Sequence, residues 1–208
     1  MEFAQKSINS FISELSEATA IPGGGAVASL NGALAASLVI MVAGITLKGL
    51  AKKKTTSPDE EYQKQQNISQ LNEIMSQAKE LEKKLLSGID EDVTAYEIVV
   101  NAYKLPKNTE KEIEDRSQAI LKALKIATLV PLQNAEMALK VRELVDIILK
   151  IGKRATLSDS MVAHLNSDAA IKGALANVEI NLNDITDDDF KKDINARVEN
   201  IKAKLINN

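Results

Sequence analysis

Apolar residues at Phe3, Ile8, Phe11, Ile12 and Leu15 recur at helical spacing and die out in Ala18-Thr19-Ala20, which predicts a first helix over residues 3–15. Pro22-Gly23-Gly24-Gly25 cannot continue it, because proline lacks an amide donor and glycine permits backbone angles closed to other residues. A tight turn there launches a second helix, predicted over residues 26–51. No charge occurs from residue 18 to residue 47. Gly25, Ser29, Gly32, Ala36 and Ala43 mark one narrow face of small residues, whereas Leu30, Leu34, Leu38 and Ile45 are large. Small faces let helices approach closely. The stretch is long enough to cross a bilayer, but it carries Asn31 and several glycines and serines where a membrane span is leucine-rich. It therefore reads as a buried central helix. A surface that is apolar on every side needs partners all round, so a homo-oligomer is expected to bury the remainder.

Ser57-Pro58-Asp59-Glu60 has the serine cap, first-turn proline and third-position glutamate of a helix start. The helix is predicted to run toward Leu86, to be interrupted or bent by Gly88, and to be recapped by Asp90 for a segment over residues 91–105. Thr109-Glu110-Lys111-Glu112 repeats the capping pattern and opens a long helix to Ile151, in which Pro131 is expected to make a kink. After Gly152 a core helix is predicted over 156–176, then a loop over 181–185. Thr186-Asp187-Asp188-Asp189 starts a terminal helix striped with Phe190, Ile194, Val198, Ile201 and Leu205. No segment sustains strand alternation. The pattern predicts an all-α, single-domain bundle of about six helices over residues 1–208, with Lys52-Lys53-Lys54-Thr55-Thr56-Ser57 as a polar loop inside it.

Composition narrows the chemistry. A net charge of −3 with both signs interspersed gives no reason to expect nucleic acid as a partner. The chain has no cysteine, which excludes disulfides and thiolate sites and fits a reducing, cytoplasmic setting. Its one histidine, His164, disfavours a multi-histidine zinc site and a serine–histidine system. Catalysis is left to carboxylates, lysines and arginines. Met1-Glu2-Phe3-Ala4-Gln5-Lys6 lacks the basic-then-apolar order of a secretory signal and is expected to be retained.

Pro22-Gly23-Gly24-Gly25-Ala26-Val27-Ala28, followed by Gly32-Ala33-Leu34-Ala35-Ala36 and Met41-Val42, resembles the opening of the formiminotetrahydrofolate cyclodeaminase and methenyltetrahydrofolate cyclohydrolase family. The likeness continues in order through Asp90-Glu91-Asp92 with Tyr96, Leu105-Pro106-Lys107, Arg116, Val130-Pro131-Leu132, Ser158-Asp159 with Val162-Ala163, Gly173-Ala174, and Asn177-Val178-Glu179-Ile180-Asn181-Leu182. It covers nearly the whole chain and implies an all-helical homodimer acting on a one-carbon tetrahydrofolate; no membrane partner is expected, because the second helix reads as buried. The chain departs from the family where Ala26 replaces a serine, where Lys153 and Ala155 replace two asparagines, and in the order of Lys48, Gly49 and Lys52 to Lys54.

The reactions this resemblance implies pass through a tetrahedral carbon bridging two folate nitrogens. They need a proton shuttle and a negative group near a positive amidinium; a carboxylate supplies both, with no cofactor beyond the tetrahydrofolate substrate. Asp92 and Asp159 are the candidates. Asp159 also fits a capping box begun by Thr156, and Asp92 also fits a carboxylate in a first helical turn. The free amides of Gly23, Gly24 and Gly25 could hold a pterin carbonyl or a carboxylate, or the glycines serve only to turn the chain. Lys52, Lys53, Lys54 and Arg116 could pair with the acidic glutamyl tail, although a lysine run also reads as a solvated loop. His164 reads as a helix-surface or interface residue. The expected activity is methenyltetrahydrofolate cyclohydrolase, ahead of formiminotetrahydrofolate cyclodeaminase because no formiminotransferase domain is fused to this chain. A helical dimer that kept the scaffold and lost the chemistry is the remaining alternative.

Overall fold

Helical periodicity dominates the structure as it does the sequence: α1 (Ile8–Leu15), α2 (Gly24–Lys52), α3 (Pro58–Tyr103), α4 (Glu110–Ile151), α5 (Leu157–Asn183) and α6 (Asp188–Ile206) follow in order, with 3-10 turns at Phe3–Gln5 and Arg154–Thr156. The computed structural model describes residues 3–206; Met1 and Glu2, which head the amino-terminal segment read above, lie outside them, as do residues 207 and 208. No strand occurs among the described residues.

Two predicted starts form as the residues dictate. Ser57 accepts a hydrogen bond from the Glu60 amide at the head of α3, and Thr109 and Glu112 form a reciprocal capping box at the head of α4. Others differ. The first helix starts only at Ile8, capped by Ser7, after the short 3-10 turn. Thr156 does not cap α5; its hydroxyl donates to the Lys153 carbonyl at 2.7 Å. The last turns of α5 run past the predicted end to Asn183, because Val178 and Leu182 extend the buried stripe of Ile171 and Leu175 that packs on α4 and α6.

Helix α2 lies against α3, α4 and α5. Its small face is the packed one: Gly25, Ser29, Gly32, Ala36 and Ala43 are all buried. A Cβ on Gly32 would stand 3.0 Å from Leu85 Cδ2 on α3, and one on Gly173 of α5 would stand 3.2 Å from Ala28 Cβ. These glycines set how closely the three helices approach. Among the large residues Val39 and Val42 are buried and Leu30 and Leu38 pack at the edges of the core, whereas Leu34, 45% exposed, and Met41, 40% exposed, lie on the open side. The antiparallel stretch of α5 beside them leaves Val162 and Leu165 exposed as well. Thus α2 is long and apolar enough to cross a membrane, yet three of its sides are covered by helices of its own chain.

Gly88 neither interrupts nor bends the chain into two helices; α3 runs through it. The physical reason is space. A Cβ there would stand 2.5 Å from both Asn134 Oδ1 of α4 and Ser29 Oγ of α2. The helix accepts a glycine, at about 1 kcal/mol against alanine, so that two buried polar side chains can enter. Asp90 correspondingly caps nothing in α3; its carboxylate accepts the Phe3 amide and ties the amino-terminal turn to the bundle.

Candidate active site

The cis Ile21–Pro22 peptide leads into the glycine turn, and the chain enters α2 through Gly23 in extended conformation. No glycine among the described residues has a positive φ. What the turn requires of its glycines is therefore room. A Cβ on Gly25 would fall 1.9 Å from Asp92 Oδ1, whereas one on Gly24 would stand 3.8 Å from Asn177 Nδ2. Asp92 comes from the middle of α3, not from a first helical turn, and lies directly on the start of α2.

Gly23 offers no side-chain cap to α2, and Asp92 takes that place from a neighbouring helix by accepting the Ala26 amide. An anion at a helix amino terminus is favoured by the unpaired amides and the helix dipole. Burial outweighs that help. Loss of water pushes the Asp92 carboxyl up from its ordinary 3.8 to about 6, with the Ala26 hydrogen bond acting in the opposite direction. A carboxyl group that titrates near neutrality both takes and returns a proton at physiological pH.

Asp92 forms one wall of a cleft of about 250 Å3. The glycine turn forms its base, Tyr96, Val99 and Tyr103 continue the α3 wall, Leu124 and Ala127 enter from α4, and Asn177 and Asn181 enter from α5. The volume is below the roughly 300–1,000 Å3 of a pocket that encloses a drug-sized molecule, so the cleft takes one end of a longer ligand. Arg116 stands at the rim, its guanidinium 5.6 Å from the Tyr103 ring centroid and donating to the Tyr103 carbonyl at 3.1 Å.

The structure thus brings together Gly23, Gly24, Gly25 and Asp92, with Arg116 held against Tyr103 at the other end of the α3 wall. Within one chain it does not bring in Lys52, Lys53 or Asp159. Lys52 and Lys53 are exposed at the far end of α2, about 42 Å along the axis from Gly24. Asp159 is in the first turn of α5, about 27 Å along that helix from Asn177. For Lys52 and Lys53 the helix predicted over 26–51 already implies this separation from the glycine turn; for Asp159 it takes the antiparallel packing of α5 on α2, which motif order does not show. His164 is half-buried in α5, with Nδ1 3.9 Å from Asp146 Oδ1 and away from the cleft. Asn177 and Asn181, quoted above only as part of a motif, were missed as cleft residues. Their signal was available: amides at i and i+4 on one face of a helix whose neighbouring face is apolar.

The fold and cleft define an all-helical protein with a near-neutral carboxyl group set on a glycine-rich helix start. A family model described as formiminotransferase-cyclodeaminase matches residues 7–200, and the chain belongs to that family. It is 32% identical over 199 residues to the methenyltetrahydrofolate cyclohydrolase of Methylorubrum extorquens, covering 96% of this chain and 90% of that protein. It is 31% identical over 195 residues to the formimidoyltransferase-cyclodeaminase of Rattus norvegicus, covering 94% of this chain and 34% of that longer protein. A crystal structure of formiminotetrahydrofolate cyclodeaminase from Thermotoga maritima superposes with a TM-score of 0.80 at 28% identity, covering 98% of this chain and 91% of that one.

Proposed function

We propose that this chain is a one-carbon folate enzyme that hydrolyses 5,10-methenyltetrahydrofolate to 10-formyltetrahydrofolate, with Asp92 as its proton shuttle. The observation that carries the reading is the Asp92 carboxyl group, raised to about 6 in a cleft sized for a bicyclic head group. The carboxylate takes a proton from the water that attacks the bridging carbon, and its charge offsets the amidinium until that attack is complete. As the tetrahedral carbon collapses, the bond to one folate nitrogen breaks. The Asp92 proton passes to that nitrogen, and the carbinol proton leaves to solvent. No cofactor beyond the folate enters this scheme. Gly24 and Gly25 present backbone to the head group, and Arg116 at the rim meets the acidic tail.

The cyclohydrolase reading is supported by the Methylorubrum relative, which matches over 90% of its own length. A homodimer belongs to the same reading. The uncharged open face of α2, with Leu34 and Met41, and the adjoining Val162 and Leu165 of α5 suit a second copy. Antiparallel pairing of two such faces puts the Asp159 and Lys52–Lys53 end of one chain beside the glycine-turn end of the other.

Purified protein incubated with 5,10-methenyltetrahydrofolate should accelerate the loss of its near-ultraviolet absorption over the rate in buffer. Ammonia release from formiminotetrahydrofolate without that acceleration would assign the cyclodeaminase reaction instead. Neither activity would leave a helical dimer without chemistry.

A further inference from the structure

Pro131 sits inside α4 and has no amide to donate, so the carbonyl of Ala127, four residues earlier, lacks its helical partner. A buried carbonyl left without a donor costs about 1–3 kcal/mol. The structure satisfies it from another helix: Asn181 Nδ2 of α5 donates to the Ala127 oxygen at 2.6 Å. That bond fixes which way the amide faces, since only its nitrogen can donate to a carbonyl. Asn177, one turn earlier, is fixed likewise, its Nδ2 donating to the Gly173 carbonyl at 2.8 Å. Both side chains line the cleft that holds Asp92. Each nitrogen gives one N–H to backbone, which fixes the plane of the amide and sets its acceptor oxygen and its second N–H in place at the cleft.

We propose that Asn181 is a positioning and specificity residue. Its Oδ1 is held as a fixed acceptor by the carbonyl that Pro131 leaves free, and it reads the amino-and-imide edge of a reduced pterin. The inference rests on the folate reading above and extends it to the orientation of the head group. In a bridged one-carbon folate neither nitrogen attached to the bridging carbon carries a hydrogen. The head group's donors are then the 2-amino group, the adjacent ring imide and the remaining ring N–H. Two of these three donors lie together on the amino-and-imide edge, which is the edge a rigid acceptor on the cleft wall is placed to recognise. A site built to hydrogen-bond a ligand N–H rejects the analogue lacking it far more strongly than an apolar pocket does.

The test uses the full chain and two stable reduced folates, 5-formyltetrahydrofolate and its analogue with methyl in place of the 2-amino group, with affinities measured by calorimetry. Wild type should prefer the amino compound by about 10- to 100-fold. Asn181→Ala should bring the two within about twofold of each other, raise KM for the methenyl substrate and leave the pH dependence of kcat where Asp92 sets it. Pro131→Ala restores an amide that competes for the Ala127 carbonyl. It should lower the same preference without lowering the melting temperature, because alanine is the better helix former. An unchanged preference in both variants overturns the role of Asn181 while leaving the folate reading intact. Loss of affinity for both ligands by one common factor also overturns it, by reducing Asn181 to a structural residue. Failure of wild type to bind either compound overturns the folate reading and this inference together.

Discussion

Asp92→Asn is expected to lower turnover by about 10²- to 10⁴-fold, the usual worth of a positioned acid–base group, and at the same time to make the protein more stable above pH 6. Asparagine has the same shape and still accepts the Ala26 amide, but it cannot move a proton. The stability effect follows from the direction of the pKa shift. The carboxyl titrates near 6 in the folded chain against 3.8 ordinarily, so the native state binds this proton more tightly than the unfolded one. Asp92's contribution is fully present below about pH 4 and is lost as pH rises through 6. At pH 8 the wild type holds a buried anion, and the variant is relieved of it by about 1–3 kcal/mol. Thermal unfolding at pH 4 and pH 8 checks this. The two proteins should melt together at pH 4, and the variant should melt higher at pH 8. A variant that is less stable at pH 8 would mean that the Ala26 contact, not burial, governs the group.

Gly25→Ala carries the second large effect. The new Cβ would fall 1.9 Å from Asp92 Oδ1 and 2.6 Å from its Cγ. The aspartate side chain is short and anchored to α3, so it must rotate off the start of α2 and give up the Ala26 amide. Overpacking of this kind costs about 1–3 kcal/mol, and turnover should fall by about 10² or more as the carboxyl leaves its place. Gly24→Ala is the control for stability alone, since its Cβ meets no protein atom closer than 3.8 Å. A double variant separates displacement from general damage. On the Asp92→Asn background, Gly25→Ala should reduce the remaining turnover by less than about threefold, because residues acting through one interaction are not additive. A full further loss would show that Gly25 serves the reaction by some other route.

Both predictions rest on a contact between residues 67 positions apart, and this is where reading the chain alone stops. Its local chemistry was legible. The caps at Ser57 and Thr109, the unbroken apolar stripes and the uncharged second helix announce an all-α bundle, and the ordered motifs single out Asp92. What was illegible depends on neighbours. Gly88 reads as a break until Asn134 and Ser29 are seen to need its missing Cβ. Gly23 to Gly25 read as a conformational device until their φ values prove ordinary and the demand at Gly25 proves to be space for Asp92. Pro131 reads as a kink, and the structure shows the carbonyl it frees taken up by Asn181. Asp159, Lys52 and Lys53 share the motif series with Asp92 but lie at the opposite end of their helices. The length of the predicted second helix already separates Lys52 and Lys53 from the glycine turn; the place of Asp159 needed the packing of α5 on α2.

The central claim, that the one-carbon group meets Asp92 at the start of α2, is tested most directly by a crystal structure with bound 5-formyltetrahydrofolate. The pterin should occupy the cleft between Gly24, Tyr96 and Asn181, with the one-carbon group in hydrogen-bond reach of the Asp92 carboxyl or one water away. Folate bound in the larger groove of about 510 Å3 beside Arg142, Asp168 and Lys172, or a one-carbon group farther than one water from Asp92, would contradict it.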